Sequence, residues 1–137
     1  MFILRLIVFS NSPLQKNLYM INFKKLKIWE LGIELVEDTY KLSTRLPVSE
    51  IYGLTNQMRR CSVSIPSNIA EGSSRQSEKD KARFVEIAMG SSFELETQIH
   101  LCHRLNYIND LEHENLLVKL DQIQRMINSY ISKLRSN

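Results

Sequence analysis

The chain has 137 residues, with 18 Lys+Arg against 15 Asp+Glu and a net charge of +3, enough for one domain or for one small domain with a tail. Four Gly and three Pro cannot punctuate the many tight turns of a sandwich or barrel, and they exclude glycine-rich cofactor folds. Two cysteines, Cys61 and Cys102, exclude a disulfide scaffold and make a reduced, cytoplasmic compartment the default.

The first 19 residues stand apart. The apolar run Met1–Val8 is short and is interrupted by Arg5, so it cannot span a membrane and makes a poor signal peptide. No acid occurs before Met20, and helical periodicity begins directly after it. Residues 1–19 therefore read as a disordered leader or an upstream start-site extension. Residues 20–137 read as the folded domain.

From Phe23, the residues Leu26, Trp29, Ile33, Val36 and Tyr40 step by 3, 4, 3 and 4, which puts them on one helix face. Ile28, Leu31, Leu35 and Leu42 widen that face, and Pro47 ends the helix near Leu46. Ser49 is the expected cap of a second helix over 50–71, with Ile51, Leu54, Met58, Cys61, Ile65 and Ile69 inward. Pro66 sits inside it and predicts a kink, and Gly72 predicts its C-terminal stop. Ser77 caps a third helix, with Asp80 three residues on. Its predicted inner stripe is Phe84, Ala88, Ser91, Leu95, Cys102 and Leu105. Gly90 costs an isolated helix about 1 kcal/mol, which predicts a neighbouring backbone close beside it. Asn109, with Glu112 three residues later, caps a fourth helix. There Leu116, Leu120, Ile123, Ile127, Tyr130 and Leu134 form a coiled-coil-type seam. Four such helices with short loops predict an all-α, antiparallel up-and-down four-helix bundle.

No reaction is specified. No Glu is followed three residues later by His, which removes the ferritin-like di-metal pattern. Glu96, His100 and His103 recur at helical spacing and could touch one metal, but they read first as a solvated polar edge, so no metal and no cofactor is expected. Cys102 and His103 are sequence neighbours, point in different directions on a helix and make a poor catalytic pair; Cys102 reads as core. Phosphate-loop and nucleophile-elbow motifs are absent. The second helix, however, is rich in polar groups. Asn68 beside Ile69, with Glu71 one turn on and Glu94 on the third helix, suits a structural polar network that fixes register, with a ligand site as the rival reading.

Several runs resemble one family. They are Phe23-Lys24-Lys25-Leu26 with Trp29, Tyr52-Gly53-Leu54, Gln57-Met58-Arg59-Arg60, and Ser64-Ile65-Pro66-Ser67-Asn68-Ile69-Ala70-Glu71-Gly72. Arg75, Ser77, Ala88-Met89-Gly90-Ser91 and Glu94-Leu95-Glu96 follow in order. Over residues 22–134 the chain resembles the bacterial 23S rRNA intervening-sequence proteins. That resemblance implies a helical bundle assembled as a homopentamer. It extends distantly to the accessory proteins of diversity-generating retroelements, which implies nucleic acid and a reverse-transcriptase-like protein as partners.

Residues 1–83 hold 13 basic and 8 acidic residues, whereas 84–137 hold 5 and 7. Candidate phosphate contacts are Lys24, Lys25, Lys27, Arg59, Arg60, Arg75, Lys79, Lys81 and Arg83. The leading expectation is a non-enzymatic oligomer that binds RNA or DNA through these residues. The alternative is a protein–protein scaffold ring without nucleic acid. An enzyme built on Asn68, Glu71 and Glu94 ranks last.

Overall fold

The first helix, α1, spans Lys27–Ser43 and is preceded by a single 3-10 turn, Phe23–Lys25, in the computed structural model, which describes residues 21–136. The expectation for residues 1–19 lies outside the described residues. Asn22 caps the 3-10 turn, and Leu26 is extended between it and α1. The core-facing row of α1 is Ile28, Gly32, Leu35, Thr39 and Leu42, not the predicted Leu26–Tyr40 stripe, which is only half-buried or exposed. The reason is steric. A Cβ on Gly32 would stand 3.2 Å from Pro66 Cβ, so this is the row on which the two backbones approach. Buried Thr39 satisfies its hydroxyl on the Leu35 carbonyl at 2.7 Å, the usual remedy for a polar group in a core. Gly and Thr do not register in an apolar scan, which therefore selects the adjacent stripe.

After a 3-10 turn over Val48–Glu50, α2 spans Leu54–Ser73. Its first free amide, on Leu54, donates to Glu50 Oε2 at 3.0 Å, so Glu50 caps α2 from outside the helix and the predicted Ser49 cap is not used. The α-helix continues through Pro66. Gly72 lies inside the last turn at negative φ, not past it as a stop. A Cβ there would meet Phe84 Cβ at 3.1 Å and the Lys81 carbonyl at 3.2 Å.

Helix α3 spans Glu78–Arg104, with the Ser77 hydroxyl accepting from the Asp80 amide as expected. Its buried residues are Ala82, Val85, Ala88, Ser92, Leu95, Gln98, Ile99 and Cys102. Leu105, placed inward by the sequence, is 52% exposed. Phe84 and Ser91 are half-buried. Gly90 also departs from expectation, since no atom lies within 4 Å of a Cβ built there. A Schellman motif ends α3. Asn106 takes φ 61°, Tyr107 donates to the Cys102 carbonyl at 2.8 Å, and Asn106 donates to that of His103 at 3.0 Å.

Helix α4 spans Asp110–Arg135 and opens on a complete capping box between Asn109 and Glu112. Its seam matches the predicted one, with Leu116, Leu120, Ile123, Ile127 and Leu134 buried and Tyr130 half-buried.

Cross-helix contacts fix the topology. Tyr40 and Ser43 meet Arg59 while Gly32 meets Pro66. Met58 meets Cys102 while Gly72 meets Phe84. Asp110 meets His103 while Arg135 meets Glu86, and Arg45 meets Glu112 while Asp38 meets Lys119. Each neighbour is antiparallel, which gives an up-and-down four-helix bundle. Leu35, Met58, Ile65, Ile69, Leu95, Ile99, Leu120, Ile123 and Ile127 fill its axis at under 2% exposure. Each contributes about 1.5–3 kcal/mol from burial. The α1–α4 contact is the thinnest of the four. A groove of about 540 Å³ lies along it, lined by Leu42, Leu116 and Val118 and bridged by the two ion pairs.

Candidate nucleic-acid interface

The up-and-down path puts the start of α1, the end of α2, the start of α3 and the end of α4 at one end of the bundle. Lys24, Lys25 and Lys27 arrive with the first element, Arg75 with the α2–α3 loop, and Lys79, Lys81 and Arg83 with the first two turns of α3. Lys133 and Arg135, which the sequence reading omitted, join them from α4. Residues more than a hundred positions apart thus form one basic end. The antiparallel return of α4 was the missing signal.

Four of these cations are paired: Lys27 with Glu30 at 3.2 Å, Arg75 with Glu71 at 3.3 Å, Lys81 with Glu78 at 2.9 Å, and Arg135 with Glu86. The pairs of Lys27, Arg75 and Arg135 are exposed on both sides, so each holds by about 0–1 kcal/mol and yields readily to a phosphate. Lys24, Lys25, Lys79, Arg83 and Lys133 have no acidic partner among the described residues. Aromatic rings stand among them. The Arg75 guanidinium lies 4.4 Å and that of Arg83 5.9 Å from the centroid of Phe84. Phe23 and Trp29 meet edge to face at 5.4 Å. Phe84 directly follows the basic run 75–83 in the sequence.

Arg59 and Arg60 are not brought to this end. Arg59 Nε donates to Ser43 Oγ at 2.8 Å, and its guanidinium lies 5.0 Å from the Tyr40 ring centroid. Arg60 lines a cleft of about 360 Å³ between α2 and α3 with Asn56, Gln57, Cys61, Ser64, Ser91 and Glu94.

The polar network differs in membership from the sequence expectation. Asn68 Nδ2 donates to the Ser64 carbonyl at 2.8 Å and to Ser64 Oγ at 2.9 Å. Ser64 Oγ in turn meets Ser91 Oγ at 2.8 Å across the helices. Glu71 is committed to Arg75 instead, and Glu94 stands in the cleft beside Cys61. The true cross-helix members, Ser64 and Ser91, are small hydroxyls that sequence alone does not separate from ordinary helical serines.

Neither thiol is activated. Burial, then Glu94, pushes Cys61 up to about 12. Burial, then Glu50, pushes Cys102 up to about 11. Both are protonated at neutral pH, and a protonated thiol is a poor nucleophile. Among the described residues, no group of three or more His, Cys, Asp or Glu side chains could by itself hold a metal ion, and no helix is long and apolar enough to cross a membrane.

The model of the 23S rRNA-intervening sequence protein family matches residues 24–129. The chain belongs to that family. A crystal structure of a Bacteroides thetaiotaomicron protein of unknown function, from the S23 ribosomal protein family, superposes with a TM-score of 0.70 at 25% identity. The match covers 76% of this chain and 97% of that one. No curated protein matches the chain. The matched span of the family model begins at Lys24, so it includes all nine cations expected from the sequence.

Proposed function

We propose that this family member is a non-catalytic, cytoplasmic homo-oligomer, a pentamer by its family resemblance, that binds RNA or DNA through the basic end of the bundle. The observation that carries the reading is the placement of Lys24, Lys25, Lys79, Arg83 and Lys133, without acidic partners among the described residues, at the end of the bundle where Arg75 and Arg83 lie against the Phe84 ring and Phe23 meets Trp29. Cations beside aromatic faces suit a phosphate backbone with partly unstacked bases. Repetition of a weak patch around an oligomer multiplies its affinity through effective concentration. The protonated thiols argue against a cysteine nucleophile.

The test is a titration of the protein with labelled RNA and with single- and double-stranded DNA over a salt series, with light scattering on the same samples. Tight binding whose log affinity falls steeply with log salt is expected. Absence of binding at low salt would sink the reading. It would favour a protein–protein scaffold, for which exposed Val48, Ile51 and Tyr52 at the opposite end would be the first surface to examine, with a reverse-transcriptase-like protein among the partners to try.

A further inference from the structure

Two histidines that sequence places 13 residues apart meet across the α3–α4 hairpin: His100 Nδ1 and His113 Nε2 face each other at 3.0 Å. Two imidazole nitrogens can make such a contact only if one offers a lone pair to the other. Their spacing is also that of two donors on one ion. With metal–nitrogen bonds of about 2.1 Å, cis donors stand about 3.0 Å apart at a right angle and about 3.4 Å apart at the tetrahedral angle.

The surroundings favour the lone pair at this point. Glu96 Oε1 lies 3.9 Å from the other ring nitrogen of His100, which favours the proton on Nε2 and leaves Nδ1 free to bind. Glu96 is itself held by Gln124 from α4 at 2.8 Å. At 3.9 Å the Glu96 carboxylate is beyond hydrogen-bond distance of His100, so it favours the Nε2 proton through its charge alone. His103 does not join as a ligand. Its Nε2 is committed to Asp110 at 2.6 Å, and its ring stacks on His113 at 4.0 Å with the planes 4° apart. It therefore presents a face, not a nitrogen.

We propose that His100 and His113 form a two-imidazole site for a divalent transition-metal ion, Cu²⁺, Ni²⁺ or Zn²⁺, that clamps α3 to α4. Water or a further ligand completes the coordination, consistent with the absence of a third protein donor. Such a site prefers Cu²⁺ and ignores Mg²⁺, which demands oxygen ligands. The ion takes both lone pairs, and the proton now shared between the rings moves to His113 Nδ1, so the neutral pair binds without net proton release.

The experiment titrates the full chain with CuSO₄, ZnCl₂ and MgCl₂ at pH 7.5 by calorimetry. Copper electron paramagnetic resonance and the histidine ring resonances under zinc serve as site readouts. Expected are one Cu²⁺ or Zn²⁺ per chain, nitrogen hyperfine structure, shifts at His100 and His113, no heat with Mg²⁺, and a melting temperature that rises with metal concentration. His100→Ala and His113→Ala should each weaken binding by about tenfold or more, and Glu96→Gln by a smaller factor. His103→Ala should keep a Cu²⁺ affinity within about twofold, because removing a stacking face leaves both donor nitrogens in place. Far-UV circular dichroism confirms that each variant folds. Absence of binding by the wild type, undiminished binding by both His100→Ala and His113→Ala, or zinc-induced shifts confined to other residues would each overturn the proposal.

Discussion

Gly90 and Gly72 are chemically identical and energetically opposite. Nothing lies within 4 Å of a Cβ at Gly90, whereas a Cβ at Gly72 presses on the Lys81 carbonyl at 3.2 Å. Gly90→Ala should therefore stabilise the protein by about 0.5–1 kcal/mol through helix propensity alone. Gly72→Ala should destabilise it by about 1–3 kcal/mol, because a backbone atom cannot step aside. Urea unfolding of the two variants checks both signs, and a loss on Gly90→Ala would show a contact there that the single chain lacks. The thiols carry a pH signature. Cys61 and Cys102 ionise near 12 and 11 in the folded protein, both above the ordinary 9.0. Above pH 9 the unfolded chain loses these protons while the folded chain keeps them. The thiols' contribution to stability should thus be flat below pH 9 and fall as pH rises from 9 towards 12. Cys102→Ala should make that alkaline decline shallower, as read from chemical unfolding at pH 8, 9 and 10. An unchanged decline would remove Cys102 as a cause.

Element ends show how far local chemistry reaches. The Asn109–Glu112 box and the Ser77 cap work within four residues, so both are legible in the sequence. Asn109→Ala should cost about 1 kcal/mol by freeing the Glu112 amide, measurable by thermal melting. The cap of α2 is different. Glu50 reaches Leu54 from a preceding 3-10 turn while Tyr107 donates to its other oxygen at 3.2 Å. That geometry depends on the α3–α4 loop, which sequence cannot place. The α4 seam was legible because its core positions are all large apolar residues at regular steps. On α1 and α3 the deepest rows include Gly32, Thr39, Ser92 and Gln98, so a search for apolar periodicity settles one row to the side. Ile123→Ala, at 1% exposure, should cost about 2–5 kcal/mol.

At the scale of the whole molecule, antiparallel packing turns an asymmetry along the chain into one between the ends of the bundle. Lys24→Glu with Lys79→Glu should weaken RNA binding and lower the salt slope by about 2, roughly 1 per lost phosphate contact. Arg60→Glu, in the α2–α3 cleft, should leave that slope unchanged. Equal losses from both variants would move the binding surface to the long side of the bundle.

Composition and periodicity alone determined that the chain is an all-helical bundle, because turn residues are scarce and apolar steps of 3 and 4 recur. They also placed two of the four helix caps, because those hydrogen bonds close within one turn. Only the tertiary structure decided which glycines touch a neighbour, which serines join the Asn68 network, and which of the nine expected cations stand together. Each of these depends on the side-to-side register of helices far apart in sequence. That register follows from close approach at Gly32–Pro66 and Gly72–Phe84, where the deciding feature is the absence of a side chain.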